Sequence, residues 1–487
     1  MSNPVLTNLT LPHLILPVRI EMLWSDTLVW LLVAVAMGVA LYARSQPHLR
    51  APWARVGRSA SGMSAATVLA VFVLIGLLDS MHYRSALPPQ DGKVVYSTDV
   101  RSLLDRIAEP LRATRERTYS APLATHLYAK ETVQRPDGSE AREFPRLRHG
   151  GKHLADPAAD WGRDVAVRAF RGLAFGLMLW FVLGIATSAA VARQAGIGVE
   201  AAWRAIWRGE STVQWRAVLC GLALLCAVAG PVVALAPHYH VLGTDKTGQD
   251  VLYQALKSIR TGLVIGTLAT LVMLPFALVL GVMAGYFKGW IDDLIQYFYT
   301  TLSSIPGVLL IAAAVLMMQV HIENHAELFP TTEMRADVRL IALCVILGVT
   351  SWTGLCRLLR GEALKLREME FIQAAHAFGV SHWRIMMRHI MPNLMHIVMI
   401  ALVMDFSGLV LAEAVLSYVG VGVDPSMISF GTMINSARLE MAREPMVWWS
   451  LAAAFVFMLT LVLAANLFAD AVRDAHDPRL HIGGARP

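Results

Sequence analysis

A short stretch of the chain combines imidazole and carboxylate side chains, the groups that bind transition metals. His238, His240 and Asp245 supply two imidazoles and one carboxylate, and such ligands suit transition ions. Two histidines without a fixed third ligand are weak evidence for a site. An H-x-H pair beside an apolar run is more often an interfacial polar cluster. We therefore predict no resident metal.

The spacing Gly243-x4-Gly248 imitates the opening of a phosphate-binding loop. Such a loop requires a lysine for the β- and γ-phosphates and a serine or threonine for magnesium. Gln249 and Asp250 occupy those two positions, so the sequence predicts no nucleotide site and no cofactor on this chain. No Ser/His/Asp, H-E-x-x-H or paired-cysteine pattern in the sequence indicates an enzyme.

Asp405 and Glu413 are acidic residues within an apolar run at 396–417. A charge at membrane depth is costly unless it is paired or hydrated, and such acids usually face the interior of a helix bundle. With about 3.6 residues per turn, the two side chains are offset by about 80°. We predict that both acids border one polar surface and line a translocation path. A structural, hydrogen-bonded role for Asp405 is the alternative.

Composition places these residues in a membrane protein. Hydrophobic residues make up 56% of the chain, charged residues make up 16%, and the mean hydropathy is +0.51, which is unusual for a water-soluble fold. Crossing about 30 Å of hydrocarbon takes about 20 helical residues. We predict an all-α integral membrane protein with nine spans, near 27–43, 64–79, 168–192, 216–236, 260–284, 295–319, 338–356, 396–417 and 447–469.

The charges of the loops predict the orientation. Arginines without any acid lie at 44–58, and further arginines lie at 193–216, whereas 320–337 is mainly acidic. By the positive-inside rule, the N-terminus is outside and the C-terminus is cytoplasmic, and nine spans satisfy every loop. The net charge of +6 needs no nucleic-acid partner, because anionic lipid of the inner leaflet would meet the basic loops.

The stretch 80–163 is too long for a simple turn and should fold at least in part. Thr98 or Asp99 is placed to cap a helix that Pro110 would bend. The sequence Pro136-Asp137-Gly138 is a turn signal that predicts a small hairpin. A solvated headpiece and a docking surface for a soluble receptor are both consistent with this segment.

Residues 370–392 form a polar stretch between two apolar runs and predict a helical hook. Apolar residues recur at helical spacing up to Phe378, and Gly379 follows where a left-handed cap costs no Cβ clash. Ser381 is placed as the N-cap of a second helix, and Pro392 is predicted to end that helix. Surrounding basic residues favour the cytoplasmic face.

The pattern Ala374-Ala375, three residues, Gly379, then His389-Ile390-Met391-Pro392 resembles the EAA loop of ABC-importer permeases. In that family the loop is the coupling helix, which sits in a groove of the ATP-binding subunit and transmits nucleotide-driven closure to the membrane helices. Gln373 stands where the family usually has Glu, and Met391 where Leu is usual. Our ATPase-coupling candidates are Phe371, Gln373, Ala374, Ala375, Phe378, Gly379, Trp383, Arg384, Arg388 and Pro392.

A second signature begins after the fourth predicted span. It resembles the outward motif of C-type permeases in dipeptide, oligopeptide and nickel importers, with Gln249 where that family usually has Arg. Residues 285–292, 413–422 and 470–480 resemble three further segments of these permeases. The matching positions of the outward motif are Gly243, Thr244, Asp245, Gly248, Asp250 and Arg260.

The resemblance implies a type I ABC-importer permease core with an N-terminal three-helix extension. The predicted organisation is a membrane segment of two helices at 1–79, an outward polar segment at 80–163, a third extra helix with a cytoplasmic amphipathic helix at 164–215, the six-helix core at 216–472 and a cytoplasmic tail at 473–487.

The resemblance also implies a multi-pass permease of the bacterial inner membrane, for peptides or related small solutes. The implied partners are a B-type permease, two ATP-binding subunits or domains that carry ATP and magnesium, an extracytoplasmic substrate-binding protein, and lipid. Two other classes stay open: a proton-coupled secondary transporter using Asp405 and Glu413, and a non-transport assembly or signalling subunit using the outward segment.

Overall fold

The computed structural model describes residues 18–87, 96–97, 99–134, 140–329 and 331–476. The N-terminal part contains, in chain order, β1 (Val18–Ile20), α1 (Trp24–Ser45), α2 (Pro47–Val56), α3 (Ala60–Asp79), β2 (His82–Ser85), β3 (Arg101–Ser102), α4 (Leu103–Ile107), α5 (Glu109–Ala113), β4 (Glu131–Gln134), β5 (Glu140–Glu143), α6 (Pro157–Ala195) and α7 (Val199–Arg208).

The C-terminal part is helical throughout its described elements. It contains α8 (Trp215–Leu235), α9 (Val251–Phe287), α10 (Trp290–Ser304), α11 (Gly307–Asn324), α12 (Thr332–Arg367), α13 (Glu370–Ala377), α14 (His382–Ile385), α15 (Met391–Val419), α16 (Phe430–Glu440) and α17 (Trp449–His476).

Nine helical stretches in the described part of the chain are long and apolar enough to cross a membrane. They are α1, α3, α6, α8, α9, α11, α12, the stretch from α14 through α15, and α17. The prediction of an all-α membrane protein with nine spans is confirmed. The last residues of the predicted tail, 477–487, lie outside the described residues.

The predicted single span at 295–319 is wrong in one respect, because it is two helices. Ile305 is extended (φ −87°, ψ 131°) and separates α10 from α11. Pro306 explains the break, since proline disfavours helical backbone at the preceding residue and donates no N–H. The N-terminal piece, α10, starts just after α9 ends.

The outward segment folds, and the structure corrects where its first helix begins. The helix starts at Leu103, with Ser102 as N-cap in a capping box with Asp105, and not at Asp99, whose carboxylate pairs with Arg101 and Arg112. Arg101 and Ser102 pair with β2 as strand β3, so the helix begins only after this strand. Thr98 lies outside the described residues.

Two small antiparallel sheets contain the strands of the outward segment, and one of them also includes β1 from the start of the chain. One has the order β1-β2-β3, and the other is the predicted hairpin of β4 and β5. The turn of this hairpin, 135–139, lies outside the described residues.

The extension packs directly on the six-helix core. Helix α3 lies against α8, α9 and α17, and α6 lies along α8. The second contact is close: a Cβ at Gly172 would lie 2.4 Å from the carbonyl oxygen of Gly230. Such small residues let helix backbones approach in membranes. The predicted amphipathic helix within 197–215 is α7, with Ala202 and Ile206 buried.

Candidate functional site

The predicted hook forms at the junction between α12 and α15. Helix α13 ends at Ala377, and Gly379 follows in the left-handed region at φ +73°. The N–H groups of Gly379 and Val380 donate to the carbonyls of His376 and Ala375. This end of α13 confirms the predicted left-handed cap. Ser381 stands at the N-cap of α14 without a side-chain capping bond.

Pro392 does not end the second helix, so that prediction is wrong. Residues Met386–Ile390 form a π-helical turn that runs directly into α15, and Pro392 lies in the first turn of α15. Proline is tolerated in a first turn, where its missing N–H costs little, and the wider turn before it leaves room for the ring. The hook and the membrane helix are therefore one continuous helical path.

The hook presents most of its candidate residues to solvent. Phe371, Phe378 and Trp383 have exposed fractions of 45%, 87% and 61%, which is unusual for large aromatic side chains. Ala375 alone among the candidates is partly buried. The other exposed candidates are Gln373, Ala374, Gly379, Arg384, Arg388 and Pro392.

The opposite side of the hook is anchored to the ends of the core helices. Ile372, Ile385 and Ile390 are buried in one cluster with residues of α9 and α12. The hydroxyl of Tyr286 lies 2.7 Å from Nδ1 of His382. The hook is therefore fixed on one side and open on the other. Neither Tyr286 nor His382 was a candidate, because a tyrosine at the end of a span carries no local signal of a contact about a hundred residues away.

An ion pair also holds this region together. The guanidinium of Arg360 binds both carboxylate oxygens of Asp292, at 2.6 and 2.7 Å. Such a two-point contact is strong and directional. It joins the C-terminal part of α12 to the start of α10, next to the hook.

The outward motif forms a tight loop before α9. Gly243 and Gly248 both have φ of +75°. Asp245 accepts hydrogen bonds from the backbone of Thr247 and Gln249 within the loop, and Asp250 caps α9. The motif is thus a rigid entry to the helix that carries Arg260.

The outward segment covers this motif. The N–H of Ser120 donates to Oγ1 of the fully buried Thr244 at 2.7 Å. The N–H of Glu116 donates to the carbonyl of Gly248 at 2.9 Å, and a Cβ on Gly248 would lie 1.9 Å from the carbonyl oxygen of Glu116. Only glycine permits that approach.

A buried ionic group, His240 with Glu116 and Asp250, joins the segment to the motif; we call it the latch. Nδ1 of His240 lies 2.7 Å from Asp250, and Nε2 lies 3.5 Å from Glu116. Burial opposes the charged imidazole, but its hydrogen bond to Asp250 and the negative charge of the nearby Glu116 prevail and raise the pKa of His240 to about 9.

Glu116 is held as a carboxylate by the same group. Burial favours its neutral form, but His240 and three backbone N–H groups, those of residues 148–150, lower the pKa of Glu116 to about 2. A carboxylate that accepts several N–H bonds behaves in this way.

The latch predicts a pH dependence of the outward segment. Because the pKa of His240 rises from 6.5 to about 9 on folding, the stabilisation is complete below pH 6.5 and is lost as pH rises through 9. The loss amounts to about 3 kcal/mol. Amide hydrogen exchange of residues 114–150, corrected for its intrinsic pH dependence, should therefore accelerate between pH 7 and 9. His240→Gln should exchange fast at both values, and a wild-type profile that is flat over this window would contradict the prediction.

Arg260 lies at the centre of a buried network between the extension and the core. Its guanidinium contacts Asp26 at 2.5 Å and Ser25 at 2.9 Å, and Ser25 in turn hydrogen-bonds Asp337. Asp26 is fully buried and also contacts Nδ1 of His82 at 2.7 Å. The motif arginine of the core is thus neutralised by an acid of the extension.

Lys257, one turn before Arg260, connects the core in a similar way to α3 and to the outward segment. Its ammonium group lies 2.6 Å from Asp79 at the end of α3 and 3.0 Å from Asp105. The hydroxyl of Tyr253 donates to Asp105 at 2.7 Å. Sequence reasoning missed Lys257, Asp79 and Asp105 because nothing in their local pattern shows that they meet.

The two membrane acids, which were predicted to border one polar surface, have different surroundings. Glu413 is 2% exposed and accepts hydrogen bonds from Ser417 at 2.6 Å and Ser429 at 2.9 Å. Because Ser429 caps α16, Glu413 ties the C-terminal end of α15 to α16. Asp405 is half-buried and has no hydrogen-bond or ion-pair partner among the described residues.

The histidines near the motif do not gather around one point. His238 packs against His153, with 5.0 Å between ring centroids, while His240 belongs to the latch. Within the described residues, no group of three or more histidine, cysteine, aspartate or glutamate side chains is arranged to hold a metal ion.

Comparisons with known proteins agree with this architecture. Residues 277–482 match the family described as binding-protein-dependent transport system inner membrane component. A glutathione transport system permease protein of Pectobacterium atrosepticum is 31% identical over 301 residues, which cover 58% of this chain and 93% of that protein.

Two further relatives carry related names. An oligopeptide transport system permease protein of Mycobacterium tuberculosis is 34% identical over 239 residues, 49% of this chain and 76% of the relative. A dipeptide transport system permease protein of Bacillus subtilis is 26% identical over 320 residues, 62% of this chain and 93% of the relative.

The chain belongs to the family of inner-membrane components of binding-protein-dependent transport systems. It is a multi-pass transmembrane permease of an ABC importer, and the resemblance to the dipeptide and oligopeptide permeases is confirmed. The family match begins within α9, so the extension and its outward segment lie before it.

Proposed function

We propose that this permease moves peptides or related small solutes inward, with a B-type permease as its membrane partner. Two ATP-binding subunits or domains would carry ATP and magnesium and perform the hydrolysis, and an extracytoplasmic protein would deliver the cargo. The relatives, which are named as glutathione, oligopeptide and dipeptide permeases, support this cargo class.

One observation carries the proposal: one side of the hook is buried against the core helices and the other side is exposed. Its buried isoleucines fix it to the core, while Phe378 and Trp383 are exposed beside Arg384 and Arg388. Exposed aromatic and arginine side chains are the residue types that dominate binding at protein interfaces. We expect an ATP-binding subunit to bind this exposed surface of the hook.

The continuous helix from His382 to Val419 supports a mechanical route for coupling. When the ATP-binding subunits close, a displacement at Trp383 passes through the π-helical turn into α15. The outer end of α15 is bound through Glu413 to Ser429 of α16. A shift of the hook therefore reaches an outward helix without any flexible joint, in the manner of shear between packed helices.

The orientation is part of the proposal. The stretch 44–58, which includes α2, carries four arginines and no acid. It lies at the same end of the bundle as the last turn of α17, because Arg55 donates to the carbonyl of Ala475. Placing this end in the cytoplasm satisfies the positive-inside rule. The N-terminus and the outward segment are then extracytoplasmic, where a delivery protein docks.

Transport in a reconstituted complex tests the proposal. The chain is co-expressed with its partner permease and ATP-binding subunits, purified in mild detergent and placed in liposomes with the delivery protein. Peptide uptake should require ATP on the side of the bilayer that carries the ATP-binding subunits. Uptake driven by a proton gradient without the ATP-binding subunits would instead identify a secondary transporter, and absence of any flux would favour an assembly or signalling subunit.

Asp405 provides a further prediction about the path. Asp405→Asn should lower peptide uptake roughly tenfold, which corresponds to about 1.4 kcal/mol of lost interaction, because a half-buried acid without a partner among the described residues is available to passing cargo. Expression of the variant and its binding to the ATP-binding subunits should stay at the wild-type level. Unchanged uptake by normally expressed Asp405→Asn assigns the acid a structural role.

A further inference from the structure

An apolar cavity lies where the extension meets the core, and it has a volume of about 380 Å³. Its wall includes Leu69 and Val73 of α3, Phe406 of α15, Phe468 of α17 and Leu32 of α1. All five residues belong to helical stretches that are long and apolar enough to cross a membrane. The cavity therefore lies within the membrane-spanning part of the fold.

The wall of the cavity offers no polar group to a ligand. Every lining side chain is apolar except those of Thr267 and Thr270 in α9. Their hydroxyls donate to carbonyl oxygens of the same helix, those of Leu263 and Gly266, at 2.7 and 2.6 Å. An apolar cavity of about 150 Å³ already stays free of water and takes apolar ligands. The occupant that suits this larger cavity is therefore hydrocarbon.

Helix α1 covers the cavity from one end only. In its first turns Ser25 and Asp26 are fully buried and Leu28 packs on a core cluster. Every residue from 34 to 42 is exposed, and a Cβ built on Gly38 meets no neighbouring atom within 4 Å. The second half of α1 is thus separated from the bundle. The cleft beside it is open toward the end of the bundle that carries α2.

The depth of the cavity matches the reach of an acyl chain in one leaflet. Along α1, Leu32 lies 12 residues before Arg44, and along α17, Phe468 lies 7 residues before Ala475. At about 1.5 Å per residue, these separations are about 18 and 10 Å. Because the hydrocarbon core is about 30 Å thick, the chains of each leaflet span about 15 Å. A chain whose headgroup lies at the α2 end therefore ends in the cavity.

Positive charge lies at the same end of the bundle as the opening of the cleft. Arg44 is in the last turn of α1, and Arg58 lies just before α3. Both are exposed, and neither guanidinium has a hydrogen-bond or ion-pair partner among the described residues. The stretch 44–58 contains no acid. Phe468 links this end to the cavity, because it lines the cavity and also packs on the cluster that contains Val56 of α2.

We infer that an anionic phospholipid is a bound component of this permease, with its phosphate held by Arg44 and Arg58 and one acyl chain lying in the cavity between the extension and the core. Guanidinium groups match phosphate oxygens through paired hydrogen bonds. A membrane helix of the partner permease fits less well, because one turn of a helix about 10 Å across fills roughly 400 Å³, as much as the whole cavity. The lipid supplies the contact between α1 and the core that the protein leaves open.

Photo-crosslinking in the assembled importer identifies the occupant of the cavity. The photoreactive residue p-benzoylphenylalanine replaces Leu32 at the cavity or, as the control, Met37 on the exposed half of α1. The complex is held in nanodiscs of equal parts phosphatidylglycerol and phosphatidylcholine, irradiated and analysed by mass spectrometry. Position 32 should give at least a fivefold excess of phosphatidylglycerol adducts, and position 37 should give equal amounts. Equal amounts at position 32, no lipid adduct there, or a cross-link to a protein segment would overturn the inference.

Charge substitution tests the headgroup contacts while the cavity stays unchanged. Arg44→Gln combined with Arg58→Gln should weaken phosphatidylglycerol binding at least tenfold, because both charges that attract the phosphate are removed. The matched control is Arg193→Gln combined with Arg208→Gln, two exposed arginines of another basic stretch, which should bind as the wild type does. Binding is measured by native mass spectrometry of the purified importer titrated with phosphatidylglycerol. Equal binding by the two double variants contradicts the site, and neither readout depends on transport or on the proposed cargo.

Discussion

The double substitution Phe378→Ala and Trp383→Ala should abolish both recruitment of the ATP-binding subunits and ATP-driven uptake. The two side chains are the most exposed aromatics of the hook, and interface anchors of this type contribute at least about 2 kcal/mol each. Losing about 4 kcal/mol weakens the complex roughly a thousandfold. Co-purification and uptake in liposomes should both fall below about 1% of wild type.

The matched control for this loss is Phe144→Ala, which removes another exposed aromatic side chain, on the outward segment. It should leave recruitment of the ATP-binding subunits unchanged. Membrane insertion of the double variant should be normal, because neither Phe378 nor Trp383 belongs to the buried cluster that anchors the hook. Retained recruitment by a normally inserted double variant would show that the subunits bind elsewhere.

Local patterns in the sequence predict the parts of this structure that local physics determines. The hook is an example, since Gly379 adopts the left-handed backbone that its position demands. The nine spans follow from apolar runs long enough to cross the bilayer. Whether a proline breaks a helix is harder to predict. Pro306 breaks a span, whereas Pro392 does not, because a π-helical turn precedes it.

Contacts between distant elements could not be predicted in the same way. Arg260 matches a family motif, but its acid partner, Asp26, belongs to a helix more than two hundred residues earlier. Glu116 reaches His240 from an outward segment whose own fold rests on short strands and caps. Periodicity indicates which residues are buried, but it does not say which buried charges meet. That information arises only when the helices pack.

Removal of the Arg260 guanidinium should destabilise the protein far more than the loss of an exposed ion pair. Both partners are enclosed, with Arg260 at 6% and Asp26 at 0% exposure, and taking away one member of a buried ion pair costs about 3–5 kcal/mol. Arg260→Met should therefore lower the apparent melting temperature in detergent by about 3–5 °C and free α1 from the core.

The cause of that loss can be separated from a general defect by its coupling to Asp26. In Arg260→Met the carboxylate of Asp26 keeps its contact with His82 but loses its guanidinium, so neutralising it with Asp26→Asn should recover part of the stability. The double variant should then be more stable than the sum of the two single losses implies. The exposed pair of Arg204 and Glu200 is the control, because Arg204→Met should cost less than about 1 kcal/mol. If the losses at Arg260 and Asp26 simply add, the two side chains do not stabilise each other, and this ion pair does not hold the extension to the core.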